Sequence, residues 1–325
     1  MRKARRRLAT GAAIILAGSA VAAAAAAPPP INGAAAVSAP AERGLGPTIA
    51  GCRIFPLDNP WNQPVANLPL RAGSDATIAK IQSIGSHNLH PDFGENQSYG
   101  IPYIVVPADQ PLVPVTFNGA PDESDPSPYP IPPNAPVESG SDAHVLVLRQ
   151  GTCDLFEMGD SATANHGASW TAYSGARFDL NSNALRPLSW TSADAAGLPI
   201  LPGLVRYEEV AAGHIDHAIR VTFSQTQNKY ILPATHQASS RTDPTLPPMG
   251  LRLRLKAGYD ISGLTGQAHV IAVAMQQYGL IVADNGSNWY FQGAPSLGWN
   301  DNELNELKNV PGTAFEVVDT GPTLP

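Results

Sequence analysis

The stretch Leu251-Arg252-Leu253-Arg254-Leu255-Lys256 decides the class of this fold. Its leucines alternate strictly with cations, and successive side chains of an extended chain point to opposite faces. The stretch therefore reads as a β-strand with an apolar face on a core and a charged face toward solvent. Runs rich in β-branched and aromatic residues, bounded by turn formers, recur on both sides of it. They fall at 101–106, 113–117, 144–148, 155–158, 217–223, 229–232, 279–283 and 289–292. Helical spacing is rarer. Residues 74–84 place Ile78, Ile81 and Ile84 on one face, 265–278 carry Val270, Val273 and Ala274, and 300–307 open on an Asn-Asp cap. The 32 prolines and 29 glycines predict long ordered loops, above all over 120–136. Strands outnumber helices and do not alternate with them. The expected fold is mainly β: an antiparallel two-sheet sandwich, jelly-roll-like, with a few short peripheral helices.

Residues 1–27 read as an export signal. Arg2, Lys3, Arg5, Arg6 and Arg7 precede a short apolar run and an alanine-rich tail with small-x-small cleavage sites. The arginine triplet before Leu8 also fits the twin-arginine route. The apolar part is far shorter than the ~20 residues a membrane span needs, and no later segment is apolar enough for one. Residues 28–48, which open on Pro28-Pro29-Pro30 and continue in Ala, Gly and Ser, read as a flexible spacer. A single domain is expected over 49–325, and the expected location is secreted, outside the cell. The formal net charge of −7 becomes more negative once the five basic residues of the leader are gone. A chain this acidic has no electrostatic footprint for nucleic acid and is repelled by anionic lipid. Cys52 and Cys153 are the two cysteines, and in an oxidising compartment they are expected to pair.

No phosphate loop, Gly-x-Ser-x-Gly elbow, His-Glu-x-x-His helix or calcium loop is present. What the chain offers instead is polar residues set on or beside apolar strands. His217 falls in line with Ile219 and Val221 and so points to the interior or to a cleft in it. Glu208 and Glu209 precede it in a short turn or helix. His236 follows a strand end, where loops gather functional groups on a rigid frame. His144 heads a strand behind Asp142, Glu157 lies opposite it in a hairpin, and Asp284 ends a strand in Asp284-Asn285-Gly286. That last run is also ordinary turn chemistry. Trp289, Tyr290 and Trp299 stand among amides and carboxylates, as suits the apolar faces and hydroxyls of sugars, although core packing accounts for such residues as well. His87, His90, His166 and His269 read as structural or surface residues. His144, His217 and His236 lack the short spacings of a transition-metal site, so no metal and no cofactor are expected.

Several segments resemble those of a family of secreted bacterial proteins. They are the run from Cys52 to Asn62, a Gly-Leu-x-Arg-x-x-Glu run carrying Arg206 and Glu209, and a Gly-x-Ile-x-His-Ala run carrying His217. Pro248 to Lys256 and the Tyr-Gly-x-Ile-Val-Ala-Asp-Asn-Gly segment that ends on Gly286 complete the pattern. The resemblance covers most of the chain from Cys52 onward, implies secretion and a single domain, and names no substrate. It singles out Glu209, His217 and Asp284.

The expectation that follows is an enzyme that cleaves an extracellular polysaccharide or cell-wall glycan by general acid–base chemistry, as a hydrolase or a lyase. Glu209 and His217 are the first candidates for acid and base, with His144, Glu157, His236 and Asp284 in support. Arg206 or Arg220 would neutralise a substrate carboxylate in a lyase, and Trp289, Tyr290 and Trp299 would bind sugar. The alternatives are a glycan-binding protein without catalysis and an exported metal-dependent enzyme.

Overall fold

A computed structural model describes residues 46–325; the expected leader, and the expected spacer up to residue 45, lie outside the described residues. The β-branched and aromatic runs become fifteen strands among the described residues, most of them short. The first half of the chain forms β1 (Thr48–Ile49), β2 (Cys52–Arg53), β3 (His90–Pro91), β4 (Tyr103–Val106), β5 (Val115–Phe117), β6 (Val145–Arg149) and β7 (Asp154–Gly159). The rest forms β8 (Ala162–Ala164), β9 (Ser169–Ala172), β10 (Ser174–Asp179), β11 (Ile219–Phe223), β12 (Arg252–Leu255), β13 (Leu280–Asn285), β14 (Tyr290–Phe291) and β15 (Phe315–Val317). Four α-helices accompany them: α1 (Ser74–Gln82), α2 (Tyr207–Ala212), α3 (Gly266–Gln277) and α4 (Asp301–Glu306). The fold is mainly β with few short helices.

The strands are distributed over four sheets rather than two. A six-stranded sheet runs β15-β12-β13-β11-β14-β3, a four-stranded sheet runs β10-β7-β6-β4, and a three-stranded sheet runs β5-β9-β8, beside the hairpin β1-β2. Pairing is mixed: β11 with β13, β14 with β3, β4 with β6 and β5 with β9 are parallel. The purely antiparallel arrangement expected from strand count is therefore not the one formed. Parallel neighbours need a crossover. Between β11 and β13 the chain supplies it through β12 and α3, which buries Ala268, Ile271, Ala272, Ala274 and Met275.

The alternating β12 behaves as a strand, but its charged face is not solvated. Arg252 is buried and donates to the backbone carbonyls of Tyr278, Pro60 and Gln63 at 2.7, 2.8 and 3.1 Å. Arg254 pairs with Glu316 and donates to the carbonyls of Val65, Ala66 and Leu68. Two guanidiniums thus bind five carbonyls of the loop over 60–68 and that of Tyr278, supplying donors that buried carbonyls require. Desolvation lowers the Arg252 pKa to about 9.

The four-stranded sheet is covered on both faces, so β6 and β7 read as continuous apolar runs. Leu146, Leu148 and Leu155 enter the main core, while Val145, Val147, Phe156 and Met158 enter a smaller one around Tyr129 and Trp170. Cys52 and Cys153 form a disulfide, with 5.4 Å between Cα atoms and a sequence separation of 101. It ties β2 to the turn between β6 and β7. Replacing both cysteines by serine is expected to cost about 2–5 kcal/mol, because a loop of that length regains its freedom in the unfolded chain. Thermal unfolding of the double variant against wild type measures it. No helix among the described residues is long and apolar enough to cross a membrane.

Candidate functional site

A cleft of ≈ 760 Å³ gathers three of the expected residues, His144, His236 and Asp284, with Asp142, Asp160 and Glu123 also in its walls. Their common support is one short strap, residues 193–196. The Ala193 carbonyl faces His144 Nε2 at 3.1 Å. The Asp194 carboxylate receives Arg220 Nη2 and Nε at 2.8 and 3.1 Å. The Ala195 carbonyl faces His236 Nδ1 at 2.8 Å. Ala196 accepts the backbone N–H of His236 at 3.2 Å and donates to the Ala283 carbonyl at 3.0 Å, which anchors the strap to β13. Gly197 ends it with φ 71°, and a Cβ there would stand 2.1 Å from Thr235 Oγ1. Only glycine meets both conditions.

Asp284 reaches the cleft through a β-bulge. β11 and β13 pair in register up to Val221 opposite Val282, and then Thr222 lies opposite Asp284, so Ala283 is the extra residue. Without the bulge, Asp284 would share the face of Val221 and the core. With it, Asp284 joins the face of Thr222 and Arg220. Burial and the nearby charge of Asp194 raise its pKa to about 7.

The hydrogen bonds fix proton positions. Both partners of His144 are acceptors only, the Ala193 carbonyl and the Glu138 carboxylate, so both ring nitrogens donate. Burial opposes the cation, but the hydrogen bond and charge of Glu138 outweigh it and raise the pKa above the ordinary histidine value. His144 is therefore the charged partner of Glu138. His236 donates through Nδ1 to the Ala195 carbonyl, so Nε2 is the nitrogen that can accept a proton.

Beneath the cleft runs a buried polar chain that sequence reasoning did not find. Arg220 grips Asp194 on one side and donates from Nη1 to Gln292 Oε1 at 2.6 Å on the other. Gln292 also stands close enough to Asp92 to favour its carboxylate, although burial outweighs that help. Burial opposes the charge of Arg220, and Asp194 more than offsets it. Burial holds the pKa values of Asp194 and Asp92 above the ordinary carboxylate range. Asp194 stands in Ser192-Ala193-Asp194-Ala195-Ala196-Gly197 and Glu138 in a proline-rich loop, and neither setting carries a local signal.

The remaining expected residues lie elsewhere. Glu209 and His217 do not line the cleft. Glu209 receives Arg206 on one oxygen and meets His217 Nε2 at 3.2 Å on the other, while His217 Nδ1 faces the Ala218 carbonyl at 2.7 Å. Burial works against the Glu209 carboxylate, but Arg206 and His217 hold its pKa below the usual value. His217 is fully buried and Arg206 nearly so, which makes this a fastener between α2 and the start of β11. Arg206 donates to the carbonyls of Leu201 and Leu204 and to Glu209, Arg220 donates to Asp194 and Gln292, and neither lines the cleft.

Trp289 lies in the core between Phe223 and Phe315, and Trp299 packs on Phe93 and Tyr207. Neither is a wall of the cleft. Tyr290 lines a second cavity, stacked on His90. Among the described residues no group of three His, Cys, Asp or Glu is placed to hold a metal ion.

Glu157 is fully buried and accepts the backbone N–H groups of Ile200 and Leu201 at 2.8 and 2.9 Å. Burial raises its pKa to about 7, against the help of those donors. A folded-state pKa raised above the unfolded value contributes stability at low pH that is lost as pH rises to the folded pKa. The loss of melting temperature caused by Glu157→Gln is therefore expected to be larger at pH 5 than at pH 8. A pH-independent difference in thermal unfolding would remove this titration from the account. No protein-family model, no curated protein and no solved structure matches the chain.

Proposed function

We propose that the protein is a secreted glycoside hydrolase acting on an extracellular polysaccharide of neutral charge, with the cleft as its active site. The observation that supports this most directly is the meeting of His236 and Asp284 in one cleft, His236 with Nδ1 tied to a carbonyl and Asp284 with its pKa raised. Asp284, held up to about 7, retains a proton near neutrality and serves as general acid to the glycosidic oxygen. His236 Nε2 serves as general base to the attacking water. Water oxygen bonds to the anomeric carbon as the C–O bond to the leaving sugar breaks. One proton passes from Asp284 to that oxygen, and another from water to His236. His144, in the cleft wall, is held by Glu138 behind it and orients without exchanging protons.

Charge separates hydrolysis from elimination. A lyase needs a cation to neutralise the uronate carboxylate, and the cleft has carboxylates in its walls and no Lys or Arg. A neutral chain suits it better than a polyanion. The test is release of reducing ends from xylan, laminarin, galactomannan and dextran, with alginate and hyaluronan as polyanionic controls. Release from at least one neutral polymer supports the hydrolase. Unsaturated products from a polyanion would replace it with a lyase, and binding without release would leave a glycan-binding protein.

A further inference from the structure

The second cavity, ≈ 370 Å³, lies outside the proposed catalytic cleft, and its volume falls within the roughly 300–1,000 Å³ typical of ligand pockets. Its floor is an aromatic pair, with His90 and Tyr290 stacked at 4.1 Å between centroids and 13° between planes, on the edge strand β3 and its neighbour β14. Tyr99, 56% exposed, stands in its wall, and Asn96 and Asn305 add amides. The rim is braced: Asp301 accepts from Glu95 N at 2.8 Å, and Glu95 accepts from Asp301 N at 3.2 Å. A Cβ at Gly94 would fall 2.3 Å from Asp301 Oδ1, so a larger residue there would push this side chain out of the brace.

The chemistry of these walls selects for a ring with an apolar face and hydroxyls at its edge. Aromatic faces stack on the axial hydrogens of a sugar, and amides and carboxylates receive its hydroxyls. Burial, with the charge of Lys308, lowers the pKa of His90, which favours a neutral ring in the stack. Two carboxylates, Asp92 and Asp301, against the single Lys308 disfavour an anionic ligand. Gln292, close to Asp92, receives Arg220, and Arg220 holds Asp194 on the strap that carries His144 and His236.

We infer that this second cavity is a sugar-binding subsite that holds a neutral polysaccharide chain while another part of the same chain occupies the cleft. The polymer half of the inference rests on the hydrolase reading; sugar binding at Tyr99 and the His90–Tyr290 stack does not.

The test is native affinity electrophoresis of wild type, Tyr99→Ala and Asp284→Asn in gels containing xylan, laminarin, galactomannan or dextran, and in alginate gels. Wild type is expected to be retarded by at least one neutral polymer and not by alginate. Tyr99→Ala is expected to weaken that binding about tenfold, and Asp284→Asn to bind as wild type does. Tyr99 is largely exposed, so its replacement leaves the core intact, and circular dichroism checks this. No retardation by any neutral polymer, unchanged retardation of Tyr99→Ala, or stronger retardation in alginate would overturn the subsite. Weakened binding of Tyr99→Ala by a protein that releases no reducing ends keeps the sugar site and removes the hydrolase. Release of reducing ends with unchanged binding and KM in Tyr99→Ala does the reverse.

Discussion

Asp284→Asn is expected to lower the rate of polysaccharide cleavage by roughly 10²- to 10⁴-fold, the usual worth of a positioned general acid. The substitution keeps shape and keeps an acceptor for Asn285 N, now 2.6 Å from the carboxylate, but it has no proton to give. Burial and the charge of Asp194 set the pKa of the wild-type acid at about 7. Wild-type activity should therefore fall as pH rises through that value. Stability tells the same story independently. A raised carboxyl pKa contributes stability that is present at low pH and lost as pH rises to about 7, so Asp284→Asn should gain on wild type above neutrality. Initial rates and melting temperatures across pH measure both. An Asn variant with more than a tenth of wild-type activity would exclude Asp284 as the acid.

Asp194→Ala is expected to be the most destabilising single change in the molecule. Asp194 is fully buried, Arg220 is 2% exposed, and the two are joined by a forked pair of hydrogen bonds. Removing one partner of such a pair costs about 3–5 kcal/mol, because the other charge stays buried and uncompensated. For a domain of this size that is on the order of 5–15 °C in melting temperature. Loss of cleavage should accompany it, since the same strap holds His144 and His236. Arg220→Lys should recover little, because an ammonium cannot present the fork that spans Asp194 and Gln292. A loss of less than about 1 kcal/mol in Asp194→Ala would mean that solvent reaches the pair.

Local pattern made much of the strand content legible. Runs of β-branched and aromatic residues located β6, β7, β11 and β13, alternation located β12, helical spacing located α1 and α3, and a cap located α4. Parallel pairing was not legible, because it depends on where long connections return the chain. Residue Tyr230 illustrates a second limit. The run at 229–232 has strand composition, yet Tyr230 makes only isolated bridges, to Met249 and Leu324. The site was legible in part: His144, His236 and Asp284 are drawn together. Their partners Asp194, Glu138, Gln292 and Asp92 were missed because a loop acid among alanines looks the same whether it is solvated or paired. Arg252 misled in the opposite way, since alternation reports which face a side chain takes and not what covers that face.

The bulge at Ala283 gives the acid of the cleft an arithmetic origin. Along a regular strand, odd and even positions belong to different faces, and Asp284 has the parity of Val282, which is buried. A single uncounted residue changes that parity and turns the carboxyl outward beside Arg220. What decides this is that Ala283 stands outside the pairing count, not what side chain it carries. A chain of this fold could therefore lose its acid by growing one residue longer in β13, with every side chain unchanged. A comparison of related chains made by residue identity alone would miss the difference.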